Sequence, residues 1–544
     1  MDAITLVLVL LVAVIALVTV ARKANIPYPI LLVLGGLALG FAHLPGTPPG
    51  GVTLDPNLVF LLFLPPLLYQ QSLTSSFRDI RADARAIGLL SIGLVLATTA
   101  IVAAVAHALI GLPWAAAVVL GAIVSPTDTV AAEAIIQRLR VPRRVATVLE
   151  GESIANDATA LVVFGLALQA ATGKSFSFWE GGLQFIWVSL GGVAIGLAVG
   201  WAIGVVRSHL SDPPVENTIS LLTGFAAYLP AYALGVSGVL SVVATGLYLG
   251  RRGPHVVSAR TRLQAQAIWD IVVLLLNGLL FILVGLQLNV ILNARLDGAG
   301  HTGHTSRTFL SLYSWPTLLG WAALVSLTVI VVRMAWVFPD AYLPRLLSRR
   351  VRARDPYPGW RNVVVLGWTG MRGGDSLAAA LAVKVAINAH APGARELIIF
   401  LTFGVILATL VLQGLTLPLL IRRLGVTADN SAEREEAKAR FKAAQAAMAR
   451  IDALGAQDGV PPDIVADMRL HYEDRSRRFA AQYHGSDEDE ALEGRATAFR
   501  KLQGELLRAE RRAVVALRDD GVINDEVMSR VQRDIDLEQV RLDG

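Results

Sequence analysis

Long apolar runs without charged residues recur about a dozen times between residues 3 and 421, and they limit what this chain can fold into. About twenty apolar residues in a helix cover the hydrocarbon core of a bilayer, and lipid offers nothing to an unpaired backbone N–H or C=O. The runs 3–21, 28–43, 57–74, 86–110, 114–136, 145–171, 182–206, 216–233, 236–250, 264–291, 314–338, 361–388 and 395–421 predict an all-α polytopic membrane protein with about thirteen transmembrane helices. Hydrophobic residues make up 54% of the chain, more than a soluble globular fold carries. There is no cysteine, which excludes disulfides and thiolate metal sites.

The basic loops orient these helices. The chain opens Met1-Asp2, stays apolar to Val20 and then meets Arg22-Lys23, so an uncleaved first helix with its N-terminus outside is expected. From that start, "RDIRADAR" (78–85), "RLRVPRR" (138–144), "RRGPHVVSARTR" (251–262) and "RLLSRRVRARDPYPGWR" (345–361) fall inside. Inside loops hold about twenty Arg and Lys, and outside loops such as "HLPGTPPG" and "NAHAPG" hold about four. The alternation predicts an odd number of crossings and a cytoplasmic C-terminal part. The expected domains are residues 1–425 in the membrane and 426–544 as a cytoplasmic tail. "EREEAKARFKAAQAAMARIDAL" and "EGRATAFRKLQGELLRAERRAVVALRDDG" place apolar residues three and four apart among charges, which predicts helices in that tail.

Several polar residues lie where hydrocarbon is expected. Asp128 in "GAIVSPTDTVAAEA", Asp157 in "EGESIANDATALVVF" and Asp375 in "GWTGMRGGDSLAAALAV" are acids at mid-span. Such acids are costly and by default mark a transport path. The bland alternative is a buried ion pair that only joins helices, and it weighs most on Asp375. Pro126 and the group Gly370, Gly373 and Gly374 predict that the two helices carrying Asp128 and Asp375 are interrupted. Interrupted helices at corresponding places in two halves point to a transporter site. "DTVAAEA" (128–134) and "DSLAAAL" (375–381) align as Asp, hydroxyl, apolar, Ala-Ala, which fits a weak internal repeat in an inverted fold.

Within "GESIANDATA", Ser153, Asn156, Asp157 and Ala160 share one helix face, whereas Glu152 points partly elsewhere. Asp157, with Ser153 and Asn156 beside it, offers oxygens to a small hard cation. Glu152 needs a buried positive partner. Arg333 in "VIVVRMAWVF" and Arg372 in "GMRGG" are isolated bases in apolar spans and are the candidates.

At these residues the chain resembles the sodium/proton exchanger family, the bacterial branch of the cation/proton antiporters. The resemblance is carried by "SPTDTVAAEAIIQRLRVPRRVATVLEGESIANDATALVVF" (125–164), "FLLFLPPLLYQQSL" (60–73), "NGLLFILVGLQL" (277–288) and "GWTGMRGGDSLAAALA" (367–382). It implies thirteen spans with inverted repeats, two crossing broken helices and a homodimer. It implies Asp157 as the carboxylate that binds cation and proton, with Asn156 as its neighbour in the Asn-Asp pair. It implies a Na+ site built from Asp157, Asp128 directly or through water, Ser153 through its hydroxyl, and Thr127 through its carbonyl or hydroxyl. Glu152 would pair with Arg333, and Arg372 would steady the second broken helix, where Asp375 also lies. Two positions depart from the family. Thr129 stands where Pro or Ala is usual, and Asp375 stands where the family commonly has an apolar or small residue.

The expected function follows. A carboxylate out of water resists ionisation, and a bound cation favours it, so one set of oxygens holds a proton or Na+ but hardly both. If reorientation needs a neutralised Asp157, exchange results. The expectation is an antiporter, not an enzyme, trading cytoplasmic Na+ or Li+ for external H+ by alternating access. The exchange is expected to be one for one and electroneutral because Asn156 is a neutral amide. A K+/H+ antiporter of the same fold is the alternative, and a cation channel a remote one. No cofactor is expected beyond the transported Na+ and H+. The expected surroundings are the lipid bilayer of the inner cell membrane and a second copy of the chain, with no nucleic acid.

Overall fold

The structure is a computed structural model. It describes residues 3–24, 26–41, 61–128, 130–139, 141–171, 178–210, 212–297, 313–383, 387, 393–426, 431–456, 461–484 and 489–543. Thr129, the loop "HLPGTPPG" (43–50) and residues 388–392 lie outside the described residues. The chain divides into two compact units, Met1–Ala428 and Asp429–Gly544.

Regular structure among the described residues is helical. Apart from the six-residue helices Phe77–Ala82 and Arg349–Arg354, the helices of the first unit are α1 (Ala3–Ala24), α2 (Tyr28–Phe41), α3 (Leu64–Thr74), α4 (Ala84–Ile110), α5 (Trp114–Val124), α6 (Val130–Leu139), α7 (Arg143–Ala171), α8 (Phe178–Ser208), α9 (Pro213–Ala233), α10 (Gly238–Val256), α11 (Ala259–Asp297), α12 (Trp315–Leu347), α13 (Trp360–Trp368), α14 (Gly374–Leu381) and α15 (Ala394–Leu424). Among the described residues, seven helices are long and apolar enough to cross a membrane. The other segments that the sequence marks as spans are shorter, interrupted or, in α9 and α10, long enough but less apolar. α2 has 14 residues, α5 has 11, and the second broken helix is split into pieces of 9 and 8. α8 turns Trp179, Trp187, Leu190 and Trp201 outward, as a helix facing lipid does.

Close packing is set by small residues, since hydrocarbon gives helices no hydrophobic reason to associate. At the crossing of α2 and α11 a Cβ on Gly36 would lie 2.1 Å from the Ile282 carbonyl oxygen. A Cβ on Gly285 would lie 2.1 Å from that of Val33. Any side chain at either position would force the two backbones apart. The buried cluster around this contact includes Leu280, Phe281, Met371 and Leu377, so it reaches the second helix break.

Two helices are broken. α5 stops at Val124, residues 125–128 are not helical, and α6 starts at Val130. Pro126 supplies no N–H there. α13 stops at Trp368, and α14 starts at Gly374 after an extended Gly373. The breaks meet: the Asp128 N–H donates to the Met371 carbonyl across 2.9 Å.

The second unit holds α16 (Ser431–Gly455), α17 (Pro462–His484), α18 (Asp489–Asp519) and α19 (Asp525–Asp543). Arg469 reaches Asp452 between α17 and α16 at 2.9 Å, and Arg511 reaches Asp536 between α18 and α19 at 2.5 Å. These are exposed pairs that set register more than they add stability.

Candidate functional site

The site is built where the two breaks cross. Asp128 precedes α6, and its carboxylate accepts the Val130 N–H at 2.8 Å and the Gly374 N–H. It therefore sits at the N-terminal ends of α6 and α14 together, where free N–H groups and the helix dipole favour negative charge. Gly373 makes room for this. A Cβ there would fall 1.6 Å from Asp128 Oδ2.

α7 faces the first break with one polar stripe. Asn156 donates Nδ2–H to Thr127 Oγ1 at 2.8 Å and more weakly to the Thr127 carbonyl at 3.4 Å. The Thr127 hydroxyl donates to Glu152 Oε1 at 3.0 Å. Arg333 of α12 grips Glu152 with both terminal nitrogens, Nη2 to Oε2 at 2.9 Å, and also donates to the Leu366 carbonyl. Both members of this ion pair are 1% exposed. With its N–H₂ given to Thr127, the Asn156 amide leaves Oδ1 buried and without a hydrogen-bond partner.

Arg372 has a different task. Its Nε donates to the Val124 carbonyl at 2.8 Å and its Nη1 to the Gly370 carbonyl. Its own N–H donates to Thr409 Oγ1 on α15 at 3.1 Å. The guanidinium thus takes up the carbonyl that ends α5 and one that the second break frees.

Asp157 and Asp375 line one small cavity with Pro126, Ile123, Leu64 and Phe164. Asp128 is within electrostatic reach of both. Among the described residues no base forms an ion pair with Asp128, Asp157 or Asp375. Ser153 is buried one turn before Asp157 but does not line that cavity. Thr127 sits in the Glu152–Asn156 chain and does not line it either. The two acids aligned by the sequence repeat also differ in place: Asp128 caps helices, whereas Asp375, the second residue of α14, faces the cavity. Thr409 was missed by sequence reasoning. Its hydroxyl also returns to the Val405 carbonyl of its own helix, as threonines in apolar helices often do, so no signal set it apart.

The sequence profile described as "Sodium/hydrogen exchanger, transmembrane" matches residues 8–423. The chain belongs to the sodium/hydrogen exchanger family. The exchanger is 39% identical over 549 residues to the uncharacterized Na+/H+ exchanger Rv2287 of Mycobacterium tuberculosis, covering 99% of this chain and 97% of the relative. It is 30% identical over 435 residues to the Na+/H+ antiporter ApNhaP of Aphanothece halophytica, covering 79% and 76%. It is 32% identical over 434 residues to the sodium, potassium, lithium and rubidium/H+ antiporter of Bacillus subtilis, covering 77% and 62%. Among solved structures, the exchanger's fold is similar to that of the sodium proton antiporter MjNhaP1 of Methanocaldococcus jannaschii. The TM-score is 0.59 at 21% identity, over 78% of this chain and 98% of that one.

Proposed function

We propose that the exchanger is a secondary active antiporter that trades cytoplasmic Na+ or Li+ for external H+, one for one and without net charge movement, serving pH and sodium homeostasis. The observation that carries this reading is the gathering of Asp128, Asp157 and Asp375 at crossed helix breaks with no base paired to any of them among the described residues. Such a site has to be neutralised by something that enters from solution, a proton or a cation. Asp157 is the carboxylate that alternates between them. Asp128, held by two helix N-termini, stays ionised and supplies oxygen to the ion directly or through water. Ser153 adds its hydroxyl and Thr127 its carbonyl or hydroxyl once the site rearranges around the ion, since neither lines the cavity in this structure. Asn156 carries no proton that can be exchanged, so Asp157 accounts for one proton per cation. Glu152 and Arg333 hold α7 and α12 together and leave their charges out of the cycle.

The name of the Aphanothece relative supports Na+ as the ion. The name of the Bacillus relative, which includes potassium, supports K+/H+ exchange as a second reading. The protein works as a homodimer in the inner cell membrane, with its N-terminus outside and residues 426–544 in the cytoplasm, and needs no cofactor beyond the ions it moves. The test is proton flux in proteoliposomes holding an acid interior. Na+, Li+ or K+ is added outside with the membrane potential clamped. Cation-dependent loss of the gradient, insensitive to the clamp and abolished in Asp157→Ala, is expected. A flux that follows the potential would overturn electroneutral exchange.

A further inference from the structure

Glu150 has no part in the exchange just described, although it is an acid on the helix that carries Asp157. It lies seven residues before Asp157, and two helical turns bring both to one side of α7. It is half-buried, and among the described residues its one hydrogen-bond partner is the hydroxyl of Ser75, just past the end of α3. That hydroxyl also reaches the Gln71 carbonyl at 2.7 Å. The bases nearest in sequence are occupied. Arg143 binds Asp79 at 2.7 Å, and Arg144 binds Asp83 at 2.8 Å and Asp355 at 2.7 Å. Arg333 is held by Glu152. An acid in a membrane-spanning helix without a base marks an ion path by default.

The course of α3 and α7 gives that path a direction. Leu64 of α3 and Leu161 of α7 line the cavity that holds Asp157. Ser75 and Glu150 meet eleven residues further along α3 and eleven residues back along α7. The two helices therefore run antiparallel, side by side, for three turns, about 16 Å. The cavity lies at one end of this seam and Glu150 at the other. Between them Leu68 and Ala158 belong to one buried cluster, so side chains make the seam. On its other flank α3 is fixed by backbone contact. A Cβ on Gly224 of α9 would lie 2.5 Å from the Pro65 carbonyl oxygen, and one on Gly250 of α10 would lie 2.4 Å from that of Leu73. Side chains part more readily than backbones locked through glycine.

We propose that the seam between α3 and α7 is the ion's route to the face that carries Arg143, that Glu150 is the carboxylate that takes up the cation at its mouth, and that Ser75 closes the mouth by binding Glu150. The basic loops assign this face to the cytoplasm. The proposal rests on the reading of Asp157 given above. A cation arriving there exchanges water for a Glu150 oxygen and then passes along the same side of α7 to Asp157, two turns away. In the closed seam the Ser75 hydroxyl occupies Glu150 in the cation's stead. Opening the seam breaks that hydrogen bond, and the arriving cation offsets the loss. The route to the opposite face does not pass this contact, so Glu150 and Ser75 act on one face only.

The test compares the full-length chain with its Glu150→Gln, Ser75→Ala and Asp157→Ala variants in proteoliposomes sorted by orientation. The chain has no cysteine, so Ala82→Cys, on the short helix whose Asp79 holds Arg143, marks that face for an impermeant maleimide. Proton flux is driven by Na+, or by K+ should K+ alone drive it, applied to one face and then to the other. The quantity read is the half-saturating cation concentration on the Arg143 face divided by that on the opposite face. Glu150→Gln is expected to raise this ratio at least roughly threefold, because the mouth loses the charge that gathers cations. Ser75→Ala is expected to lower it at least about twofold, the scale of one lost hydrogen bond that held the seam shut. An unchanged or lowered ratio in Glu150→Gln overturns the proposal, since Glu150 would then serve packing or the central site, which both faces share. An unchanged or raised ratio in Ser75→Ala overturns it as well. Glu150→Asp, one methylene short of Ser75, replaces Glu150→Gln with the same expectation if the amide variant does not fold. If neither folds, Ser75→Ala alone decides. Cation-dependent flux surviving in Asp157→Ala would instead refute the underlying reading of Asp157, whatever the ratios.

Discussion

Asn156 gives its amide to the hydroxyl of Thr127, and that hydroxyl gives its proton to Glu152. Neighbouring positions of one helix thus hold the first helix break from two sides. The chain then ends on Arg333, so the shape of the break depends on an ion pair with a third helix.

Asp157→Ala and Asp128→Ala are each expected to abolish cation-dependent proton flux in reconstituted protein. Asp128→Ala also frees the N–H groups of Val130 and Gly374, so a lower melting temperature should accompany its loss of transport. Full exchange in either variant would remove that residue from the ion site.

Glu152→Gln leaves the Arg333 guanidinium buried without its counter-charge. The expected cost is about 3–5 kcal/mol, the range for removing one partner of a buried pair. A thermal melt in detergent checks it. Glu152→Gln with Arg333→Met should recover much of the loss, because the double variant strands no charge. A variant that melts like wild type but changes cation affinity would place Glu152 in the ion site instead.

Gly373→Ala puts a methyl group where the Asp128 carboxylate lies. One of the two must move, and the carboxylate cannot do so without giving up its N–H donors. Transport is expected to fall by at least about tenfold, within the roughly hundredfold that a misplacement near 1 Å can cost. A wild-type rate would show that the contact is easily relieved.

Asp355 lies in the connection between α12 and α13 and binds Arg85 at 2.8 Å, Arg144 at 2.7 Å and Arg345 at 2.6 Å. Burial pushes its carboxyl up, but hydrogen bonds and charge from Arg144 and Arg345 outweigh that and hold it down to about 2. The folded value lies below the ordinary carboxylate value of about 3.9, so the stabilisation is present above roughly pH 4 and lost as pH falls through 2. Asp355→Asn should lower stability at pH 7 by roughly 1–2 kcal/mol, and the difference should shrink as the pH approaches 2. Melting curves at the two ends of that range decide it. A difference independent of pH would mean that packing, not charge, explains the loss.

Much of this was legible in the sequence because membrane burial is severe. An acid or base inside an apolar run has to be paid for, so Asp128, Asp157, Glu152, Arg333, Arg372 and Asp375 stand out without any structure. Pro126 and the glycines from 370 to 374 marked both breaks for the same reason: lipid does not tolerate idle backbone. Distances between helices were not legible. Nothing in "RGGDSL" shows that Asp375 shares a cavity with Asp157, or that Asp128 is bonded by N–H groups of two helices. The repeat aligned Asp128 with Asp375, but an alignment does not show that the first stands before its helix and the second inside its own. Thr409 and the Met371 carbonyl were invisible for another reason: one resembles any threonine in an apolar helix, and the other is backbone, which every residue has.

That last point bears on how such a carrier can diversify. The bond from Asp128 to Met371 runs from main chain to main chain, so it does not depend on which side chain either residue bears. Side chains around the crossing can therefore be exchanged, and the ion preference tuned with them, without removing the bond that joins the two broken helices.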